Sequence, residues 1–249
     1  MPDLFDFTLD GFSAMQAGIR LQKPVSIATA TPIYDEAQIA GRSGTLVSWT
    51  GAFKNRKAQA SCYALYNPTD DPLTDRTLME VISSANGLLF SVLGYRRLVV
   101  SYDLEHYMKA RISNGSEIQQ RMERLNPFKI DFDCMPQRFL TVGEDPVEIT
   151  TSGDIIANPT AFASDPLLVI SGTIGGSGTI TINETTIQIL EIVSDMTIDC
   201  EIENCYNMNG NHNDKINATV FPKLTSGNNA IVFDGDITSV TVTPRWWEI

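Results

Sequence analysis

From about residue 137 onward the chain is written in short runs where apolar and polar residues alternate, a period of two that only a half-buried β-strand satisfies. Thr179-Ile180-Thr181-Ile182 alternates, turns at Asn183-Glu184, and resumes in Thr186-Ile187-Gln188-Ile189. Met196, Ile198, Cys200 and Ile202 fall on one face, with Thr197, Asp199, Glu201 and Glu203 on the other. Leu167 to Ser171, Ala230 to Asp234 and Val240 to Val242 complete the series, with turn residues every 8–12 positions or so. Such spacing predicts a β-sandwich of about 110 residues.

The first half reads differently. Phe128-Lys129-Ile130-Asp131-Phe132 is a strict alternation, and Leu88 to Val92 and Arg97 to Tyr102 read as strands around a Gly94-Tyr95 turn. One amphipathic helix is predicted from Thr74 to Asn86. Thr74 suits the N-cap, Asp75 the first turn and Gly87 the C′ position, while Leu78, Val81, Ile82 and Ala85 form a single stripe. Ile118, Met122 and Leu125 carry helical spacing ahead of the alternation. The fold class is therefore mainly β, in two domains, 1–136 with one helix and 137–249 as the sandwich, with Pro136, Pro146 and Pro159 near the boundary.

The balance of 18 basic and 30 acidic side chains, net −12 over 249 residues, speaks against phosphate-backbone binding, which needs clustered Lys and Arg. No apolar run approaches the roughly 20 residues of a membrane helix, and Met1-Pro2-Asp3-Leu4-Phe5-Asp6 has no secretory n-region, so a soluble protein used without export is expected. The Asn-x-Ser/Thr matches at Asn114, Asn183 and Asn217 are then chance.

No catalytic, cofactor or metal site is legible. Cys62, Cys134, Cys200 and Cys205 have neither redox nor zinc spacing and read as buried free thiols. His106 reads as a packing or surface residue. His212 lies in the Asn-rich loop 207–217, where Asp214 alone offers a carboxylate, too few for a hard cation. Gly172-Thr173-Ile174-Gly175-Gly176-Ser177-Gly178 lacks the Lys-Ser/Thr end of a phosphate loop and precedes a strand, so a hairpin turn is expected. Asp131 and Asp133 share a strand face, most simply the solvent face. Trp246 and Trp247, as neighbours on a strand, offer at most one ring to a sugar.

Several stretches resemble the distal tail proteins of siphovirus-type phages and prophages of Gram-positive bacteria. In the second half they are Asn158-Pro159, Pro166 to Gly172, Met196-Thr197-Ile198-Asp199-Cys200-Glu201, Phe221-Pro222-Lys223-Leu224-Thr225-Ser226-Gly227-Asn228-Asn229 and Pro244-Arg245-Trp246-Trp247. In the first half they are Gly41-Arg42-Ser43-Gly44 and Phe128 to Pro136. The resemblance implies a ring-forming N-terminal domain, a galectin-like C-terminal β-sandwich, and a non-enzymatic, cofactor-free virion protein made in the bacterial host cytoplasm. It further implies a homo-oligomer, a hexameric hub ring joining the major tail (tube) protein to a tail-associated lysin or tail fibre protein at the tail tip or baseplate, in some phages with receptor-binding proteins. DNA would pass the channel without sequence recognition, and lumen carboxylates would keep it from adhering. Residues 137–249 leave room for no inserted sugar-binding module.

Two stretches, Ile39 to Ala52 and Arg96 to Tyr102, are expected at subunit contacts because both have β potential beside the Gly-Arg-x-Gly turn. The alternative from another class is a carbohydrate-binding module for host-surface recognition. A peptidoglycan hydrolase is the third reading, with no motif behind it.

Overall fold

A computed structural model describes residues 5–65, 78–113 and 125–249. The chain divides into two compact units, Met1–Arg138 with Ile249, and Phe139–Glu248.

The first unit holds β1 (Phe7–Leu9), β2 (Phe12–Ser13), β3 (Ile19–Leu21), β4 (Ser26–Ile27), β5 (Thr31–Gln38), β6 (Thr45–Lys54), β7 (Arg56–Leu65), α1 (Leu78–Phe90), β8 (Arg96–Val100), β9 (Asp103–Ile112) and β10 (Leu125–Cys134). Its main sheet runs β2-β1-β8-β9-β10-β7-β3, with β4 also on β7. The long β7–β10 pair sets the core: small residues Ala58, Ala60, Cys62 and Ala64 on β7 face inward beside the bulky Phe128, Ile130 and Phe132 of β10. Small residues on one strand beside bulky ones on the next let the layer pack closely. Helix α1 contributes Val81, Ala85, Leu88 and Leu89 to the same cluster.

The helix differs from the sequence expectation at its C-terminal end. It runs through Gly87 to Phe90, and Leu88–Phe90 is helix instead of strand. The physical reason lies in Leu88 and Leu89, which extend the apolar stripe of Val81 and Ala85 by another turn, a burial that outweighs the helix penalty of about 1 kcal/mol for glycine. Arg96 then receives the helix end, its Nη1 donating to the Leu88 carbonyl. Thr74 and Asp75, and Ile118 and Met122, lie outside the described residues. Leu125 opens β10.

The second unit begins at Phe139, within β11 (Arg138–Leu140), and goes on to β12 (Val147–Ile149). It continues through β13 (Asp154–Asn158), β14 (Leu167–Gly172), β15 (Gly178–Ile182), β16 (Thr185–Ile189), β17 (Met196–Asp199), β18 (Asn204–Asn207), β19 (Gly210–Asn211), β20 (Ile216–Asn217), β21 (Gly227–Phe233), β22 (Ile237–Thr243) and β23 (Trp247–Glu248). One sheet is β12-β22-β14-β17-β18-β19 and the other β13-β21-β15-β16-β20, while β11 pairs with β23. Leu168, Ile170, Ile198, Val240 and Val242 of the first sheet share one core with Ile180, Ile182, Ile187, Ile189 and Ile231 of the second. This is the β-sandwich expected from the alternation, and the chain as a whole is mainly β.

Two local expectations fail here. The glycine-rich segment after β14 is no hairpin turn, because β14 and β15 belong to different sheets and the segment crosses between them. A Cβ on Gly172 would stand 2.4 Å from the Asp236 carbonyl oxygen, and one on Gly178 2.4 Å from that of Asp234. The glycines are there so that two backbones can touch. The segment 196–202 also stops alternating early: β17 ends at Asp199, which is buried, and Ile202 is exposed.

Candidate functional site: an exposed hairpin and four structural motifs

The residues that carry the family resemblance prove to hold the fold together. Asp199 ends β17 and Arg245 follows β22, and they meet as a forked pair, Nη1–Oδ1 2.6 Å and Nη2–Oδ2 2.9 Å. Burial raises the Asp199 carboxyl, but the hydrogen bonds and charge of Arg245 with the backbone N–H groups of Glu201 and Ile202 outweigh it and hold it below the ordinary range. Arg245 adopts a left-handed backbone, φ 57°, and its N–H donates to the Gly143 carbonyl at 2.7 Å. A β-carbon on Gly143 would collide with the Trp246 backbone. Thus Ile198-Asp199-Cys200-Glu201 and Pro244-Arg245-Trp246-Trp247 form one clasp.

The other two motifs form a second clasp. The Asn229 side chain is fully buried and donates to the carbonyls of Thr225 and Gly227, each at 2.8 Å, and of Ile156. The Asn158 amide donates to the carbonyls of Phe162 and Leu224. Leu224 is buried and bridges Ser164, and Lys223 pairs with Asp165 at 3.0 Å. Buried amides with this many partners specify one path for a loop that has no regular structure of its own.

The candidate catalytic and binding residues are dispersed. Asp131 and Asp133 do share a face of β10, and there Asp131 accepts from Gln59 at 2.6 Å and Asp133 from Arg111 at 2.9 Å. His106, on β9, is half-buried with Nδ1 2.7 Å from Asp103. His212 contacts Asn207 at 2.9 Å in a loop where Asn207, Asn211 and Asn213 accept backbone N–H groups. All four cysteines are buried and unpaired, and burial pushes the thiols of Cys62 and Cys200 up to about 12 and those of Cys134 and Cys205 to about 11. Among the described residues no three His, Cys, Asp or Glu side chains gather as a metal site, and no helix is long and apolar enough to cross a membrane. Trp246 is buried, and Trp247 stacks on Phe162 at 4.6 Å with its indole N–H on the Ala163 carbonyl.

What remains conspicuous is the hairpin β5–β6, whose two strands among the described residues pair only with each other. The turn between them contains Gly41-Arg42-Ser43-Gly44, with both glycines at positive φ. Register pairs Tyr34 with Trp49 and Glu36 with Val47, so Tyr34, Val47 and Trp49 share one face, and Phe53 packs edge-on to Trp49 at 5.8 Å. Tyr34, Leu46, Val47 and Trp49 are each about half exposed, at 49%, 48%, 52% and 55%. Gly51, at φ 83°, sits where the register shifts. A two-stranded ribbon is marginal alone in water, and among the described residues no further strand pairs with either edge of this one. By contrast β8 lies between β1 and β9, with Arg96, Leu98 and Val100 buried, so the stretch 96–102 expected at a subunit contact has no free β edge to offer one. Arg96 instead ties the chain together, its Nε 2.6 Å from Asp10.

No family model matches the chain, and no curated protein does. Among solved structures it matches the crystal structure of SPP1 Dit (gp 19.1), described as a paradigm of hub adsorption apparatus in Gram-positive infecting phages. The TM-score is 0.74 at 14% identity, over 99% of this chain and 100% of that one. The chain has the Dit fold. The likeness read from the motifs thus extends over both units of the chain. At such low identity the common ground is architecture: which apolar positions point inward and where the loops are clasped.

Proposed function

We propose that this chain is a structural hub protein of a phage tail, assembled in the virion as a hexameric ring at the distal end of the tail tube and linking the tube to the tail tip or baseplate. The observation that carries the reading is the Dit fold over the full length of both chains. Residues 1–136 are read as the ring-forming part and 137–249 as the peripheral sandwich, without an added sugar-binding module. The β5–β6 hairpin is the natural arm of such a ring: a ring needs a heterologous face on each subunit, and a ribbon with exposed apolar side chains, whose edges no further strand among the described residues pairs, supplies one. The partners on either side of the ring are read as the major tail protein and a tail-associated lysin or fibre protein. A hub of this kind acts by position and needs neither a reacting group nor a cofactor.

The test is the mass of the purified chain by light scattering coupled to size exclusion at two concentrations. Six chains of 27.4 kDa give about 164 kDa (6 × 27.4), and negative stain then reveals rings. A chain that stays monomeric both alone and when co-expressed with the neighbouring tail proteins overturns the proposal.

A further inference from the structure

Arg56 opens β7 in phase with Ala58, Ala60, Cys62 and Ala64, so the strand period turns a guanidinium toward the core. The residue is 6% exposed, and among the described residues its Nε and Nη2 are buried with no hydrogen-bond partner. A buried, unpaired guanidinium is an arrangement folded proteins avoid, since the charge has lost its water and gained nothing in return. Burial lowers its pKa below the usual range, and the neighbouring Arg138 charge pushes the same way. The group across the strand pair is the Cys134 thiol, which burial holds at about 11 and therefore neutral, so it supplies no counter-charge.

Arg56 lines a cavity of about 310 Å3 whose walls include Leu98, Met108, His106, Asp103 and Arg138. Arg138 and His106 both engage the Asp103 carboxylate, at 3.3 and 2.7 Å. The terminal residue Ile249 also lines the cavity, so two guanidiniums face two carboxylates there, and neither carboxylate makes a hydrogen bond to Arg56 among the described residues. The volume exceeds what one or two waters fill, and the wall is part apolar.

We propose that this pocket binds an oxyanion head group, carboxylate or phosphate, with Arg56 as the principal ligand and Arg138 beside it. Arg56 supplies the forked donors that a planar or tetrahedral oxyanion matches, and Leu98 and Met108 accommodate a short apolar body. The inference stands apart from the hub reading, because it rests on one unit of one chain.

The test is the 31P linewidth of inorganic phosphate titrated with the full chain, repeated with Arg56→Leu and Arg56→Lys. The expected result is saturable broadening with the natural chain, at least tenfold weaker with Arg56→Lys, which keeps the charge but loses the fork, and none with Arg56→Leu. Acetate added to the phosphate complex distinguishes the two heads: recovery of the narrow line assigns the pocket to carboxylates as well, and persistence of the broad line assigns it to phosphates. Absence of broadening with the natural chain overturns the proposal, as does equal broadening with Arg56→Leu. Should Arg56→Leu fail to fold by circular dichroism, unchanged affinity in Arg56→Lys overturns it instead.

Discussion

Substituting Asp199 by alanine should unfasten the sandwich, because the clasp with Arg245 is the charged contact that joins the end of β17 to the chain after β22. The Asp199 side chain is 9% exposed and that of Arg245 23%, so the guanidinium left behind keeps only the longer, more exposed contact to Glu201 at 3.4 Å and has little water to turn to. Breaking such a buried pair from one side costs about 3–5 kcal/mol. Arg245 also loses the contact that offsets its left-handed backbone, itself worth about 1–2 kcal/mol against the residue. With a urea m-value of about 1–2 kcal/mol/M, the unfolding midpoint of the second unit should fall by roughly 2 M.

Tryptophan fluorescence in a Trp49→Phe background reads this unit alone, since the remaining Trp246 and Trp247 adjoin Arg245. The pH dependence carries the sign of the argument. Asp199 is held below its ordinary value of 3.8, so its contribution is present above that pH and is lost as pH falls through the depressed value. The gap between natural and Asp199→Ala midpoints should therefore be constant near neutrality and narrow as pH falls below the ordinary carboxylate range. A midpoint shift under about 0.5 M at neutral pH, or a gap indifferent to acid, would refute the reasoning.

Trp49→Asp, on the exposed face of the hairpin, should abolish ring assembly by size exclusion with light scattering. It should leave the thermal stability of the single chain within about 0.5 kcal/mol, as at other exposed positions. Gly172→Ala should destabilise the sandwich by about 1–3 kcal/mol in urea, because the added methyl meets the Asp236 carbonyl and Ile192. The four cysteines should resist a thiol reagent at pH 8 in the native chain, with thiols at about 11–12, and all react at once in denaturant.

The parts of the fold readable in advance are those governed by neighbours in sequence. Phe128, Ile130 and Phe132 alternate with Lys129, Asp131 and Asp133, and the strand that results buries the first set. Thr179–Ile189 announces its own hairpin in the same way, since a period of two and a two-residue turn are local properties. Asp199 was illegible for the converse reason. Its position in an alternating run assigns it to the solvent face, and only Arg245, 46 residues away, makes its burial affordable. The glycines from 172 to 178 likewise have a single local meaning, a turn, until the Asp234–Asp236 backbone arrives against them from the other end of the unit.

The sequence by itself determined that the chain is mainly β, where most strands lie, that its cysteines are buried, and through its motifs which known architecture it resembles. Tertiary structure alone decided that those motifs are clasps, that α1 runs past Gly87, that β8 is interior while β5–β6 pairs with no further strand among the described residues, and that Arg56 is buried there without a hydrogen-bond partner. The division has one physical cause. Strand period and turn chemistry are set within a few residues, whereas burial and pairing depend on groups that the chain brings together from far apart.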